Sequence, residues 1–117
     1  SVAADVVLLN SVVDAFVQCG DVRRARQVVA AMRRGEYGPA CPPNARTYNT
    51  LIKGLARRGD RGAAQAAFGL VAEMEGRGLA PTEVTLHTLV AACARAGMLG
   101  DARQLLDRCH THYLAGS

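Results

Sequence analysis

The chain has 117 residues, half of them apolar, with a mean hydropathy of +0.05 and 21% charged residues; this excludes wholesale disorder, and the length favours one unit over two domains. Lys and Arg number 14 against 10 Asp and Glu, and the net charge of +4 permits a nucleic-acid partner without requiring one. No apolar run approaches the ~18 residues of a membrane span, and an alanine-rich chain with 4% aromatics and 4 prolines points to packed helices and away from sheet.

Apolar spacing and capping residues predict six helices. The first, 6–18, follows Asp5, carries Val12, Val13 and Phe16 on its apolar face and ends at Gly20. The second, 21–34, starts at Asp21 and carries Ala25, Val28, Val29 and Met32. Residues 35–43 hold three prolines and two glycines and read as a surface excursion. The third helix, 45–58, follows Asn44; Leu51, Ile52 and Leu55 form its apolar face, with Tyr48 at the edge. Gly59 is a left-handed C-cap candidate, and Asp60 caps the fourth helix, 60–76, with Ala64, Ala67, Phe68, Val71 and Met74 inward. The fifth, 83–96, follows Thr82 and buries Leu89, Val90 and Cys93 before Gly97. The sixth, 99–112, presents Ala102, Leu105, Leu106 and Cys109. Pro43 and Pro81 precede two of the caps, where no helical N–H is lost.

These helices repeat. Asn10, Asn49 and His87 align, as do Gly20, Gly59 and Gly97, and Ala25, Ala64 and Ala102, at offsets of 39 and then 38 residues. Each period is a helical hairpin, and a hairpin cannot bury its apolar face alone, so three stacked pairs are expected to form one solenoid. The fold expected is therefore all-α, an α-α superhelix of three helix-turn-helix repeats, right-handed, forming a single domain over 1–117 with repeats at about 6–44, 45–82 and 83–117. Alanine at the aligned position lets the two helices of a pair approach closely.

The four cysteines include no C-x-x-C pair and read as reduced thiols. Cys109-His110-Thr111-His112 lacks the paired spacing of a zinc site, so a packed Cys109 and two solvated histidines are expected, with no metal or other cofactor. No paired carboxylates, Ser/Cys–His pair or glycine-rich phosphate loop stands out, and no enzymatic activity is expected. Ser1 is not an initiator methionine and the first residues are not a basic-then-apolar leader; the expectation is a processed product or a piece of a longer protein. Arg46, Asn49, Lys53 and Arg57 are spaced by 3, 4 and 4 on one helix face, opposite Leu51, Ile52 and Leu55. An amide can pair with a base edge, a guanidinium can stack on a base and cations neutralise phosphate, so this stripe suits single-stranded nucleic acid; it also suits a solvated helix face.

The stretch Thr47-Tyr48-Asn49-Thr50-Leu51-Ile52-Lys53-Gly54-Leu55-Ala56-Arg57-Arg58-Gly59 resembles the first helix of a pentatricopeptide repeat, and so does the stretch from Val84 to Gly97. Met74-Glu75-Gly76-Arg77-Gly78-Leu79-Ala80-Pro81 is similar to the end of such a repeat. Tetratricopeptide and HEAT units fit less well, since the chain has no Trp and lacks the Leu-Gly…Tyr pattern of the former. The resemblance, to P-type-like repeats, covers residues 5 to about 109. The family's unit is about 35 residues; the extra residues here fall in the 35–43 loop and in the second helix of the second unit.

The resemblance implies one RNA base per repeat, read by a polar residue in the first helix and the last residue of the repeat. The pairs are Asn10 with Asn44 and Asn49 with Thr82; His87 has its partner in the tail near Ser117. Asn44 and Thr82 also suit simple N-capping, and the two roles can coexist. Asn pairs imply pyrimidine reading, cytosine for Asn10 with Asn44. Val7, Arg46 and Val84 take the base-stacking positions, and Lys53, Arg57 and Arg95 are the expected phosphate contacts. The function implied is binding of single-stranded, pyrimidine-rich RNA in mitochondria or chloroplasts, for stabilisation, processing, editing or translation. Neighbouring repeats or organellar ribonucleoprotein subunits are the other partners implied, with no membrane. The alternatives are a repeat scaffold in an organellar ribosome or transcription assembly, favoured by the off-pattern Thr82 and His87, and the RNA-binding segment of a larger RNA-processing enzyme.

Overall fold

The computed structural model describes residues 5–39 and 41–116, with side chains as far as residue 108. The chain forms six α-helices: α1 (Val6–Gln18), α2 (Val22–Arg33), α3 (Ala45–Arg58), α4 (Arg61–Gly76), α5 (Glu83–Arg95) and α6 (Leu99–Gly116). The predicted limits hold within one residue, except that α6 runs on to Gly116. At 16 residues, α4 is one turn longer than the 12-residue α2, which matches the extra residues expected in the second helix of the second unit.

The termini form for the reasons read from the sequence. Asp5, Asp21 and Asp60 accept hydrogen bonds from the backbone N–H of Leu8, Arg24 and Ala63 at 2.8, 3.1 and 2.6 Å, each satisfying a donor that the helix leaves open. Gly59 closes α3 with a φ of 71°, and Gly20 and Gly97 repeat that left-handed turn.

Within each hairpin α1 packs on α2, α3 on α4 and α5 on α6, while α1, α3 and α5 also lie side by side in one layer. The second helices make no comparable backbone approach to each other among the described residues. They meet through side chains instead, Arg33 Nε to Glu73 at 3.3 Å and Arg108 Nη2 to Glu75 at 2.8 Å. A close layer backed by an open one curves toward the close side, so the first helices line the inner face. The result is a slab of 48 × 32 × 19 Å with a radius of gyration of 14.8 Å, above the ~13 Å of a round domain of this size.

The core is continuous across all three hairpins. Val13, Ala25, Val29, Leu51, Ile52, Ala64 and Leu89 are all fully buried within it. Close approach is strictest at Gly54, aligned with Ala15 and Ala92: a Cβ there would sit 2.9 Å from Val17 Cγ1 and 3.2 Å from Val22 Cγ2. Val12 and Leu106, expected on buried faces, are 38% and 55% exposed. The counterparts of Val12, Leu51 and Leu89, are sealed because α3 and α5 each pack on a preceding hairpin; α1 has none among the described residues. The 35–43 loop is also less superficial than expected. Its Cys41 is 2% exposed and plugs a small second core with Leu9 and Met32.

Tyr48 is not at the edge of a face but fully buried. Its hydroxyl lies beside the Glu73 carboxylate, between α2 and α4, without a well-aligned hydrogen bond. Burial, reinforced by Glu73, pushes its pKa up from 10.0 to about 12. Above pH 10 the unfolded chain gives up this proton while the folded chain keeps it, so stability is full below pH 10 and falls as pH rises toward 12. Urea unfolding at pH 9 and pH 11 should therefore show the parent losing about 1 kcal/mol more than Tyr48→Phe; equal losses would contradict this assignment. Gly54→Leu should lower stability by ~1–3 kcal/mol through overpacking against Val17 and Val22, despite leucine's better helix propensity. An unchanged urea midpoint would show that α3 has room to move outward.

Candidate nucleic-acid interface

Two clefts open on the inner layer, one between each pair of consecutive first helices. The first has a volume of about 240 Å³ and is lined by Val7, Asn10, Ser11, Asp14, Asn44 and Arg46. The second, of about 420 Å³, is lined by Arg46, Asn49, Thr50, Ile52, Lys53, Val84, Thr85 and Thr88. They share a plan imposed by the 39- and 38-residue period. Each contains the asparagine amide of its first helix, Asn10 or Asn49, joined in the first cleft by Asn44, and each has an entry residue from the first turn of both helices: Val7 with Arg46, then Arg46 with Val84. Val7 and Val84 are 76% and 70% exposed, so their methyl groups are open to contact. Arg46 belongs to both clefts, and its planar guanidinium can stack on either side.

The amides are held by hydrogen bonds that cross between hairpins. At the start of α3, Asn44 and Thr47 form a capping box: Thr47 N–H donates to Asn44 Oδ1 at 3.1 Å and Asn44 N–H to Thr47 Oγ1 at 3.0 Å. Asn10 of α1 joins this box, donating from Nδ2 to Asn44 Oδ1 at 3.1 Å and accepting from Thr47 Oγ1 at 2.5 Å. At α5 the box is Thr82 with Thr85, and Thr85 Oγ1 donates to Asn49 Oδ1 at 2.6 Å. Thr82 and Thr85 also bond through their hydroxyls at 3.0 Å.

The sequence-derived residues divide accordingly. Val7, Asn10, Asn44 and Arg46 meet in the first cleft, and Arg46, Asn49, Lys53 and Val84 in the second. Asn10 is more enclosed than expected, only 7% exposed, because both ends of its amide are bonded. Thr82 caps α5 and reaches the second cleft through Thr85. His87 is exposed on α5, where no further helix stands beside it to form a third cleft among the described residues. Arg57 is exposed on α3 and lines neither cleft. Arg95 donates from Nη1 to the Ala56 carbonyl at 3.2 Å, tying α5 to the last turn of α3, so part of its guanidinium is committed to the fold. The side chains of Cys109, His110 and His112, and Ser117, lie outside the described residues.

Sequence reasoning missed Thr47, Thr85 and Asp14. The two threonines were detectable as Thr at the third helical position after a capping residue, 38 residues apart. Asp14 occupies the place that Lys53 holds one period later, so the clefts differ in charge; its Oδ2 accepts from Gln18 Nε2 at 2.8 Å. The buried thiol of Cys93 has its pKa raised by desolvation and by Asp101, which keeps it protonated and unreactive. No helix among the described residues is long and apolar enough to cross a membrane.

Three sequence models of the pentatricopeptide repeat match the chain, over residues 4–57, 40–75 and 84–112. The chain is 30% identical to the mitochondrial pentatricopeptide repeat-containing protein At2g22410 of Arabidopsis thaliana, over 97% of its own length and 15% of that protein. It is 36% identical to the mitochondrial pentatricopeptide repeat-containing protein OGR1 of Oryza sativa subsp. japonica, over 86% of its length and 16% of that protein. It thus spans about a sixth of these curated relatives. The crystal structure of PPR10 from maize superposes on 97% of this chain, and 15% of PPR10, with a TM-score of 0.82 at 26% identity. PPR10 in complex with an 18-nt psaJ RNA element gives a TM-score of 0.78 at 27% identity, over 92% of this chain and 15% of that one. Matched in sequence along most of its length and in three dimensions by a pentatricopeptide repeat solenoid, the chain belongs to the pentatricopeptide repeat family.

Proposed function

We propose that this chain binds single-stranded RNA along its inner face, with one base entering each cleft between consecutive first helices. The observation that carries this reading is the repetition, at one period, of an amide inside a cleft between two exposed stacking residues. Val7, Arg46 and Val84 would sandwich the bases, Arg46 through its guanidinium plane and the valines through their methyl groups. Lys53, Arg57 and the free nitrogens of Arg95 would meet phosphates. The repeats are taken as 6–44, 45–82 and 83–117 of one domain. Three repeats then give two formed clefts, and His87 would read a base once a further repeat lies beside α5.

The hydrogen bonds favour pyrimidines. In the first cleft the Nδ2 groups of Asn10 and Asn44 both retain donors, since the two Oδ1 atoms are taken by Thr47 and, for Asn44, also by Asn10. Two donors match the adjacent N3 and O2 acceptors of cytosine. In the second cleft Asn49 offers its Nδ2 to a pyrimidine O2, and Thr82 adds only a hydroxyl, so a weaker pyrimidine preference follows. The cleft linings are amide, hydroxyl, aliphatic and cationic groups, with the Asp14 carboxylate in the first cleft, and they support a role in holding a strand. The mitochondrial and chloroplastic names of relatives, and the RNA-bound state of PPR10, support a place in organellar RNA stabilisation, processing, editing or translation. Leu99 and Leu106, 69% and 55% exposed on α6, suit covering by neighbouring repeats of a longer solenoid.

Fluorescence anisotropy with C-rich, U-rich and A-rich RNAs, single-stranded and duplex, at two salt concentrations tests the reading. Weak binding that prefers single-stranded pyrimidines and falls steeply with salt is expected; equal binding of duplex and single strand would overturn it. Arg46→Ala, which empties a wall of both clefts, should weaken binding by roughly tenfold or more, while Arg24→Ala on the outer layer should change it far less. The same loss in both variants would mean that net charge, not stacking, drives association.

A further inference from the structure

The two reading amides are not free to turn, and the groups that hold them lie in the next repeat. Thr47 Oγ1 already accepts the Asn44 backbone N–H at 3.0 Å, and Thr85 Oγ1 accepts that of Thr82 at 3.1 Å. Each hydroxyl has one proton left to give, and its shortest acceptor is the amide oxygen of the preceding repeat, Asn10 Oδ1 at 2.5 Å or Asn49 Oδ1 at 2.6 Å. Both threonines are sealed, at 0% and 2% exposure, and the Thr47–Asn10 bond is buried while the Thr85–Asn49 bond borders the second cleft. A reversed amide would turn Nδ2 toward a hydroxyl oxygen already engaged by a cap. At Asn10 it would also set Oδ1 against Asn44 Oδ1, which is fixed as an acceptor by Thr47 N–H.

We propose that Thr47 and Thr85 are positioning residues that lock the Asn10 and Asn49 amides with oxygen inward and NH2 outward, making each cleft present a hydrogen-bond donor to a base carbonyl. Base choice then depends on the junction between two repeats and not only on the residues facing the base. The locks differ in strength. Asn10 is held at both ends, by Thr47 and Asn44, whereas Asn49 is held by Thr85 alone, because Thr82 has no amide oxygen. Leu8 occupies the corresponding place in the first repeat and offers no hydroxyl, so the device belongs to the α1–α3 and α3–α5 junctions specifically.

The inference rests on the RNA-binding reading for its consequence but not for the lock, and two measurements separate them. In the RNA-free 117-residue chain, side-chain 15N–1H spectra should show the Asn49 NH2 pair shifting in Thr85→Val and the Asn10 pair in Thr47→Val, each leaving the other pair in place. Thr→Ser at either site, which keeps the hydroxyl, should restore the parent positions. Unmoved amide pairs in both valine variants, with folding intact by circular dichroism, would overturn the proposal. With RNA, Thr85→Val should lose most of the preference for U-rich and C-rich over A-rich strands, Thr47→Val less, and both should keep most of the total affinity; Thr85→Ser should retain the preference. A preserved preference in both valine variants would also overturn the proposal. A lock seen in the spectra of a chain that shows no base preference would overturn the RNA reading alone.

Discussion

Everything in this molecule depends on stacking the first helices side by side, which buries α3 and α5 between their own partners and the preceding hairpin. Leu51 on α3 and Leu89 on α5 are wholly removed from water where a preceding hairpin lies against them. Where that neighbour is missing among the described residues, the same row opens, as Val12 shows. The apolar contribution, roughly 1.5–3 kcal/mol per large side chain, therefore comes from the stack and not from single hairpins. Gly54 sets how close the stack can come, since it leaves no room for a methyl group against Val17.

The same stacking creates the clefts. First helices packed side by side bring the N-terminal turn of one against the middle of its predecessor, which places the capping box of α3 on Asn10 and that of α5 on Asn49. Capping and presentation are thus one structure: the threonine that closes a helix terminus also aims the amide of the repeat before it. Replacing either Asn44 or Thr82 would cost about 0.5–2 kcal/mol of capping and disturb the cleft together. The two clefts are not electrostatically equal. Asp14 makes the first less attractive to phosphate than the second, which carries Lys53 at the same place.

Much of this was legible in the sequence because the period was. Caps at Asp5, Asn44 and Thr82, the Gly59 turn and the α3 apolar row each follow from local chemistry, and one offset multiplies them by three. The misreadings came where local chemistry is not enough. Tyr48 reads as an edge residue by helical spacing, yet α2 and α4 close over it. Cys41 reads as part of a loose loop, yet it seals the gap between Leu9 and Met32. Thr47 and Thr85 read as ordinary first-turn residues, and only the contact between hairpins shows their bond to the amides. Arg95 reads as a phosphate ligand, and the structure adds a second task at the Ala56 carbonyl.

The most direct measurement of whether nucleobases occupy these clefts is a methyl and side-chain amide NMR titration of the chain with a short single-stranded C-rich RNA. Base insertion predicts that the Val7 and Val84 methyls and the Asn10, Asn44 and Asn49 amides shift together, while the Val12 and Leu106 methyls stay in place. Shifts confined to the outer helices α2, α4 and α6, or spread evenly over the exposed arginines with the five cleft residues unmoved, would contradict it.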